Sequence, residues 1–445
     1  SELMGASSLS RMDGPVEPVR RLADGTVKQV NPFSGTQVWT VPGRASRPVG
    51  SGAASVGVVS ASQARSLCAF CEGQRLSTPP ERERVVWEGG QWVFREGLSA
   101  GEVAEQSAEF RRVPNLFAIL DWPYWRDNHG LVASGEVLAR RDAYLADSAG
   151  REHVVAVLRA KAAAMGCSVD GVPAEGEREA LAQAATGFFA GGHEVVIGRR
   201  HVTNAGKGVL AGSGTLSAQE HAAFMELTVR GVVDLYERIP VARYVVAFQN
   251  WLRPAGASFD HLHKQIVAID EYSEQTNREV ERLRVAPDAF WTWGVGYAAR
   301  RGLLIAENEH AVAFAGFGHR WPAVEVFSKG GSGLPWELSV RQRRDVSDLV
   351  HAVHAATGVD VPVNEEWHYR PPGLGVPMPW RVVVKWRISN VAGFEGGTKI
   401  YVNTIDPWGV RDRVVAGLVQ LRASGGLADG VAVGQECWAG ALRYV

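Results

Sequence analysis

Apolar and polar residues alternate through Val38-Trp39-Thr40-Val41, just after the turn residues Asn31-Pro32 and Ser34-Gly35, so a strand entered from a turn is expected there. Gly50 to Gln63 is rich in Gly, Ala and Ser and reads as a loose connection. Short strands are expected at Arg84–Trp87, Gln91–Phe94 and Phe110–Leu120, where β-branched and aromatic residues run between polar turns. From Arg126 to Phe189 the texture shifts to Ala, Leu, Glu and Arg. Val154–Met165 and Arg178–Phe189 carry the apolar period of amphipathic helices there, and the region reads as a helical insertion. Beyond it His193–Ile197 reads as a strand, and Ser217 with Glu220 forms a capping box opening a long helix, Ala218 to Arg238. Strands at Tyr244–Phe248 and Asp260–Ile269 follow, separated by the loop Gln249–Ser258.

The rest of the chain partly repeats this order. Gly302–Phe327 reads as strand, polar turn, strand, strand; a helix from Ser339 to Ala356 and a strand at Trp380–Ile388 come next. The expected fold is therefore α+β: two related halves, residues 17–275 and 276–445, each an antiparallel sheet with packed helices, and the insertion at about 126–189 in the first. Length permits it, since 445 residues can bury a large core. Charge narrows the partners: 47 Lys+Arg against 48 Asp+Glu provide no field for gripping nucleic acid nonspecifically. No apolar run of about 18 residues and no secretory leader is apparent, so a cytoplasmic protein with no membrane partner is expected. The opening Ser1–Ser8 reads as the remnant of an expression tag and is set aside.

The sharpest chemical signal lies between Phe248 and Gln265. Residues two apart on a strand face the same way, so His261, His263 and Gln265 of the His-Leu-His-Lys-Gln run are expected to share one face. The loop before them, with Gly256 and Ser258, can bring backbone N–H groups and a hydroxyl close to a phosphate. A plainer reading is the solvated face of an antiparallel strand. Cys68 and Cys71 form a CxxC whose spacing suits tetrahedral zinc, with His201 and His261 as the remaining ligands; a redox pair is the alternative, but no thioredoxin-like βαβ pattern surrounds it.

Taken together, these motifs resemble the galactose-1-phosphate uridylyltransferase family, the transferase branch of the histidine-triad (HIT) superfamily. The resemblance is carried in order by Asn31-Pro32-Phe33-Ser34-Gly35, Trp39 and Arg44-Ala45-Ser46-Arg47-Pro48; by Cys68, Cys71 and Gly73; by Asn115-Leu116-Phe117-Ala118-Ile119-Leu120; by His201; by Asn250, Gly256, Ser258, His261, His263 and Gln265; and by Gly393-Phe394-Glu395. It implies two HIT-like halves and a ping-pong nucleotidyltransferase. His263 would be the nucleophile that forms a nucleotidyl-histidine. Gln265 and Ser258 would hold phosphoryl oxygens, and Arg44 and Arg47 the phosphate tail. Asn115 would hold the nucleoside, Asn250 and Gly256 the phosphate loop, and Glu395 the sugar. One structural zinc would sit on Cys68, Cys71, His201 and His261. A homodimer acting on a nucleotide or nucleotide-sugar and a sugar phosphate is implied as well.

Departures refine this. Leu262 stands where the family usually has proline, and Asn115-Leu116 replaces the Asn-Asp of uridylyltransferases, which resembles adenylyl-handling relatives, ADP-sugar phosphorylases among them. Glu279 resembles a second-metal glutamate, but Val382–Arg387 holds no histidine, so one metal is expected. The leading expectation is transfer of a nucleoside monophosphate to a sugar 1-phosphate. Phosphorolysis of an NDP-sugar or dinucleoside polyphosphate is the alternative, and a non-catalytic nucleotide sensor the remote one. His351 and His354 are expected to face solvent, His310 and His319 to be non-catalytic, and Cys167 and Cys437 to be buried small hydrophobes.

Overall fold

The structure, a computed structural model, describes residues 17–44, 56–440 and 442–444, so Arg47 lies outside the described residues. A single twelve-stranded sheet runs through both halves of the chain. The first half supplies, from its outer edge inward, Gln91–Glu96, Glu83–Glu88, Phe110–Pro114, His193–Gly198, His263–Ile269 and Tyr244–Trp251. The second half continues outward with Val363–His368, Arg381–Trp386, Ala323–Ser328, Ala311–Ala315, Leu304–Glu307 and Ala432–Val433. Every neighbouring pair is antiparallel.

The two halves repeat one another. In the first, the helix Ala218–Arg238 connects the strand next to His263–Ile269 with the junction strand; in the second, Val340–Thr357 connects Ala323–Ser328 with Val363–His368 in the same sheet position. Both helices open with capping boxes, Ser217 with Glu220 and Ser339 with Gln342, each closing orphan N–H groups of the first turn. Buried apolar faces press both helices onto one side of the sheet, where Phe224, Leu227, Val346 and Val350 join Val245, Ile266 and Val384 in one core. The other side carries the polar side chains considered below.

Several boundaries differ from the sequence reading, each for a tertiary reason. The strand from Tyr244 continues to Trp251, because Gln249, Asn250 and Trp251 pair with Glu365, Asn364 and Val363 of the other half. Phe110–Leu120 is a strand only to Pro114: Asn115 turns its side chain back to accept the N–H of Phe117 at 2.8 Å, which ends the ladder. The next strand begins at His263 rather than Asp260, so His261 lies outside the ladder. His351 and His354 are buried, not solvent-facing; their rings reach the Leu216 carbonyl and the Glu365 carboxylate in the space between the helices and the sheet. Cys167 is exposed rather than buried, in the turn that ends the helix Ser148–Ala164.

Four helices, Trp122–His129, Gly135–Ala146, Ser148–Ala164 and Arg178–Ala190, fall in and around the insertion; the last three share a hydrophobic cluster that includes Tyr144, Val154, Leu181 and Phe189, while Trp125 of the first joins the main core. A separate four-stranded sheet joins Val19–Arg21, Val27–Val30 and Gln37–Thr40 to Ile400–Asn403. It leans on the second half, where Phe33 stacks on Phe290 with centroids 4.2 Å apart and Asn31 donates to the Phe317 carbonyl.

Candidate active site

Cys68, Cys71, His201 and His261 converge on one point from three parts of the chain. The thiols are 3.7 Å apart, and each lies 3.3–3.7 Å from the Nδ1 atoms of His201 and His261. A tetrahedral zinc with Zn–S near 2.3 Å and Zn–N near 2.0–2.1 Å sets its ligand atoms roughly 3.3–3.8 Å apart, so the set is spaced to hold such an ion. Ring chemistry agrees. The Nε2–H of His261 donates to the Gly198 carbonyl, leaving the Nδ1 lone pair directed at the cysteines. The hydrogen bond from Cys68 holds the Cys71 thiol well below its ordinary value despite burial, which favours the thiolate that binds metal.

His263 starts the strand that leaves this cluster, and its ring is fixed by the same segment. The carbonyl of His261 can only accept, so His263 Nδ1 carries the proton of their 2.7 Å hydrogen bond and Nε2 keeps its lone pair. Burial pushes the imidazole down to about 4, leaving it neutral near pH 7. Phe70, inside the CxxC, packs edge-on against it with centroids 5.1 Å apart and screens that flank. A neutral, oriented imidazole with a free Nε2 is a nucleophile or a base.

Gln265 lies two residues further along the same face, as the sequence predicts. Its Oε1 faces His193 Nε2 at 2.9 Å and Asn115 Nδ2 at 3.5 Å. His193 had no recognisable partner in the sequence; only the register that sets Val195 opposite Gln265 puts it on this face. Asn250 lies at the junction, on the strand beside that of Gln265 and within reach of the loop that follows it. A Cβ at Gly256 would come 3.9 Å from Asn250 Nδ2, and Gly256 itself has φ +92°, which a side chain would strain. Leu252 at the loop's start has φ 67°, a region costing of order 1–3 kcal/mol for a residue with a side chain. Backbone N–H bonds from Ala255 and Ala257 to its carbonyl hold that turn closed. Ser258 sits exposed on the loop.

Arg44 and Glu395 are elsewhere. Arg44 follows the Gln37–Thr40 strand and Glu395 lies in the short helix Gly393–Thr398 beside it, where Phe394 meets Trp39 with centroids 6.0 Å apart. Among the described residues neither makes a hydrogen bond, ion pair or aromatic contact with the His263 face. Glu279 is engaged in a 2.8 Å ion pair with Arg381. This pair lines a cavity of about 280 Å³ on the second half, together with Glu325, Glu366 and His368. The larger cavity, about 660 Å³, is on the helix-covered side of the sheet among ion pairs such as Arg112 with Glu83 and Asp234, away from His263.

Two solved structures share the fold. One is an ADP-glucose phosphorylase from Arabidopsis thaliana with bound ADP-glucose, at 19% identity and TM-score 0.56 over 87% of this chain and 97% of that one. The other is a GalT-like protein from Arabidopsis thaliana, at 18% identity and TM-score 0.53 over the same shares. No curated protein matches the sequence. The two-halved sheet, with His263 on the strand next to the junction strand Tyr244–Trp251, belongs to the same fold class as these two proteins. Within that class, residues 22–444 match the family described as Domain of unknown function (DUF4921), to which the chain belongs.

Proposed function

We propose that the protein is a nucleotidyltransferase that works through a covalent nucleotidyl-histidine at His263. The observation that carries this reading is the tautomer of His263: its proton is held by the His261 carbonyl and its Nε2 lone pair is left free beside Gln265. In the first half-reaction Nε2 attacks the α-phosphorus of a nucleotide donor. The P–O bond to the leaving phosphate breaks, and its electron pair departs on that oxygen. The Nδ1–H stays on the His261 carbonyl, which stabilises the imidazolium character of the adduct. A phosphate oxygen of the acceptor then attacks the same phosphorus, and the N–P bond breaks to restore the lone pair.

Gln265 and the Asn250–Ser258 loop are positioned to receive phosphoryl oxygens while charge shifts between them. Zinc on Cys68, Cys71, His201 and His261 would be structural. It would anchor the residues before His263 and so fix the carbonyl that orients the nucleophile. Arg44, Arg47 and Glu395 are proposed to bind the phosphate tail and sugar; Arg44 and Glu395 lie beside the smaller sheet and among the described residues make no contact with the His263 face, which fits a homodimer in which one copy completes the other's site.

The Asn115-Leu116 pair lacks a carboxylate for the ribose, and one fold relative is an ADP-glucose phosphorylase. Both favour an adenylyl group as the one transferred, and make inorganic phosphate, in place of a sugar 1-phosphate, the second candidate acceptor. Intact mass after mixing with ADP-glucose, UDP-glucose, ATP and UTP separately, at neutral pH, tests the reading. A nucleotidyl-sized adduct with one donor, absent from His263→Ala, supports it; no adduct with any donor refutes it. Release of nucleotide from the adduct by glucose 1-phosphate or by inorganic phosphate separates transferase from phosphorylase.

A further inference from the structure

The side chains behind Gln265 are pinned by backbone groups that leave little freedom. Ile119 N–H donates to His193 Nδ1 at 3.0 Å, so that nitrogen must be the acceptor. Burial holds His193 below its ordinary value and keeps the ring neutral, so its single proton sits on Nε2. Phe117 N–H likewise donates to Asn115 Oδ1 at 2.8 Å, which turns the Asn115 amide nitrogen inward. Two donors thereby reach one atom: His193 Nε2–H lies 2.9 Å and Asn115 Nδ2–H 3.5 Å from Gln265 Oε1, with the Asn115 nitrogen 3.1 Å from His193 Nε2.

An amide whose oxygen is held from behind presents its nitrogen to the front. We propose that His193 is a positioning residue: by donating Nε2–H to Gln265 Oε1 it turns the Gln265 NH2 toward the phosphoryl group transferred at His263. The proposal rests on the reading of His263 as nucleophile. Without the His193 proton, the amide can flip and set its oxygen against phosphoryl oxygens, which repel it. His193 itself lies one strand away, is 4% exposed and takes no part in bond making. Asn115 alone, at the longer distance, holds the amide less firmly.

A double-mutant cycle tests this, read as the single-turnover rate of adduct formation at saturating nucleotide donor. His193→Ala should slow it roughly tenfold or more in the otherwise native protein, but less than about twofold when Gln265→Ala is already present. His193→Gln, which keeps an N–H near the Nε2 position, should stay within about threefold of native. Equal losses in both backgrounds, or a His193→Gln variant as slow as His193→Ala, would overturn the proposal. A measurement independent of turnover accompanies it: long-range proton–nitrogen NMR of the native protein, with the His193 ring assigned from the His193→Gln spectrum. A ring protonated at Nε2 is expected, and an Nδ1–H ring overturns the inference. If the native protein forms no adduct with any donor, the nucleotidyl-histidine reading fails by itself, and the ring tautomer still decides the arrangement of His193 and Gln265.

Discussion

Asn364, on the junction strand of the second half, donates its Nδ2 to Asn250 Oδ1 and to the Ala255 carbonyl, each at 2.8 Å. Its own Oδ1 accepts from Arg387 at 2.8 Å, and Arg387 stacks over Trp321. The loop carrying Gly256 and Ser258 belongs to the first half, yet its shape is imposed by the second. Asn364→Ala would leave the Asn250 oxygen and the Ala255 carbonyl without these donors, a loss of about 1–3 kcal/mol. The expected result is a nucleotide Kd raised roughly five- to a hundredfold by calorimetry, with the fold intact by circular dichroism. Unchanged affinity would mean that the loop holds its shape unaided.

The metal set makes a second prediction. Purified protein should contain one zinc per chain by elemental analysis, and Cys68→Ser should lose it together with thermal stability, because the ion ties residues far apart in sequence. His261 connects this to chemistry: its ring faces the cysteines while its carbonyl holds His263 Nδ1. Chelation should therefore slow adduct formation even under conditions where the chain stays folded. Full activity in a metal-free preparation would contradict this coupling.

Much of this site was legible in the chain itself. CxxC spacing and the period of two place Cys68, Cys71, His263 and Gln265 by local rules, and the capping box placed the helix from Ala218 to Arg238 to the residue. What escaped was whatever depends on register between distant strands. His193 gains its meaning only opposite the Gln265 strand, and Asn364 only where two halves meet. His351 and His354 carry an i, i+3 spacing that looks solvated; they are buried because a second helix and a carboxylate from another strand close over them. Arg44 and Glu395 have matching motifs but a different address, on the smaller sheet, and motif order contains no information about that.

Histidines of two kinds should separate cleanly in mutagenesis. His263→Ala removes the proposed nucleophile and should abolish adduct formation with every donor. His351→Ala removes a buried ring bonded to the Leu216 carbonyl, so it should lower stability by about 1–3 kcal/mol while leaving activity in the folded fraction. Denaturant titration beside the mass assay distinguishes the two. An active His263→Ala protein would end the covalent reading.

Acid sensitivity follows from the rings that burial keeps neutral. His153, His221 and His351 are all held below their ordinary value, chiefly by desolvation. In the unfolded chain each titrates near 6.5, so below that pH the unfolded state binds protons that the folded state refuses. Stability is fully present above about pH 7 and falls as the pH drops through 6.5 towards the lower folded values, by at most about 1.4 kcal/mol per pH unit for each ring. Urea midpoints measured from pH 7.5 to 5.5 should decline, and His221→Gln should flatten the slope by up to one proton. A slope unchanged in that variant would show that His221 takes up its proton in the folded state.

A charge pair lies buried beneath the strand that carries His263. Lys264 lies between His263 and Gln265 but faces the helices, where its Nζ meets Glu365 Oε1 at 2.6 Å with both side chains fully buried. Glu365 also accepts from His354 at 2.7 Å and from Trp367 at 2.8 Å. Burial alone would raise this carboxyl; Lys264 and His354 overcome it and hold the group far below the ordinary range, so the pair is ionised. Since one partner is on the first half and the other on the second, the pair fixes the junction on which Asn250 and Asn364 meet. Removing one charge strands the other in the core: Glu365→Ala should cost about 3–5 kcal/mol. Replacing both, Lys264→Met with Glu365→Leu, should recover much of that stability, because two packed apolar chains leave no bare charge. If the double variant is as unstable as the single one, the pair's value lies in its hydrogen bonds to His354 and Trp367 rather than in the cancellation of charge, and chemical denaturation of the three proteins decides which.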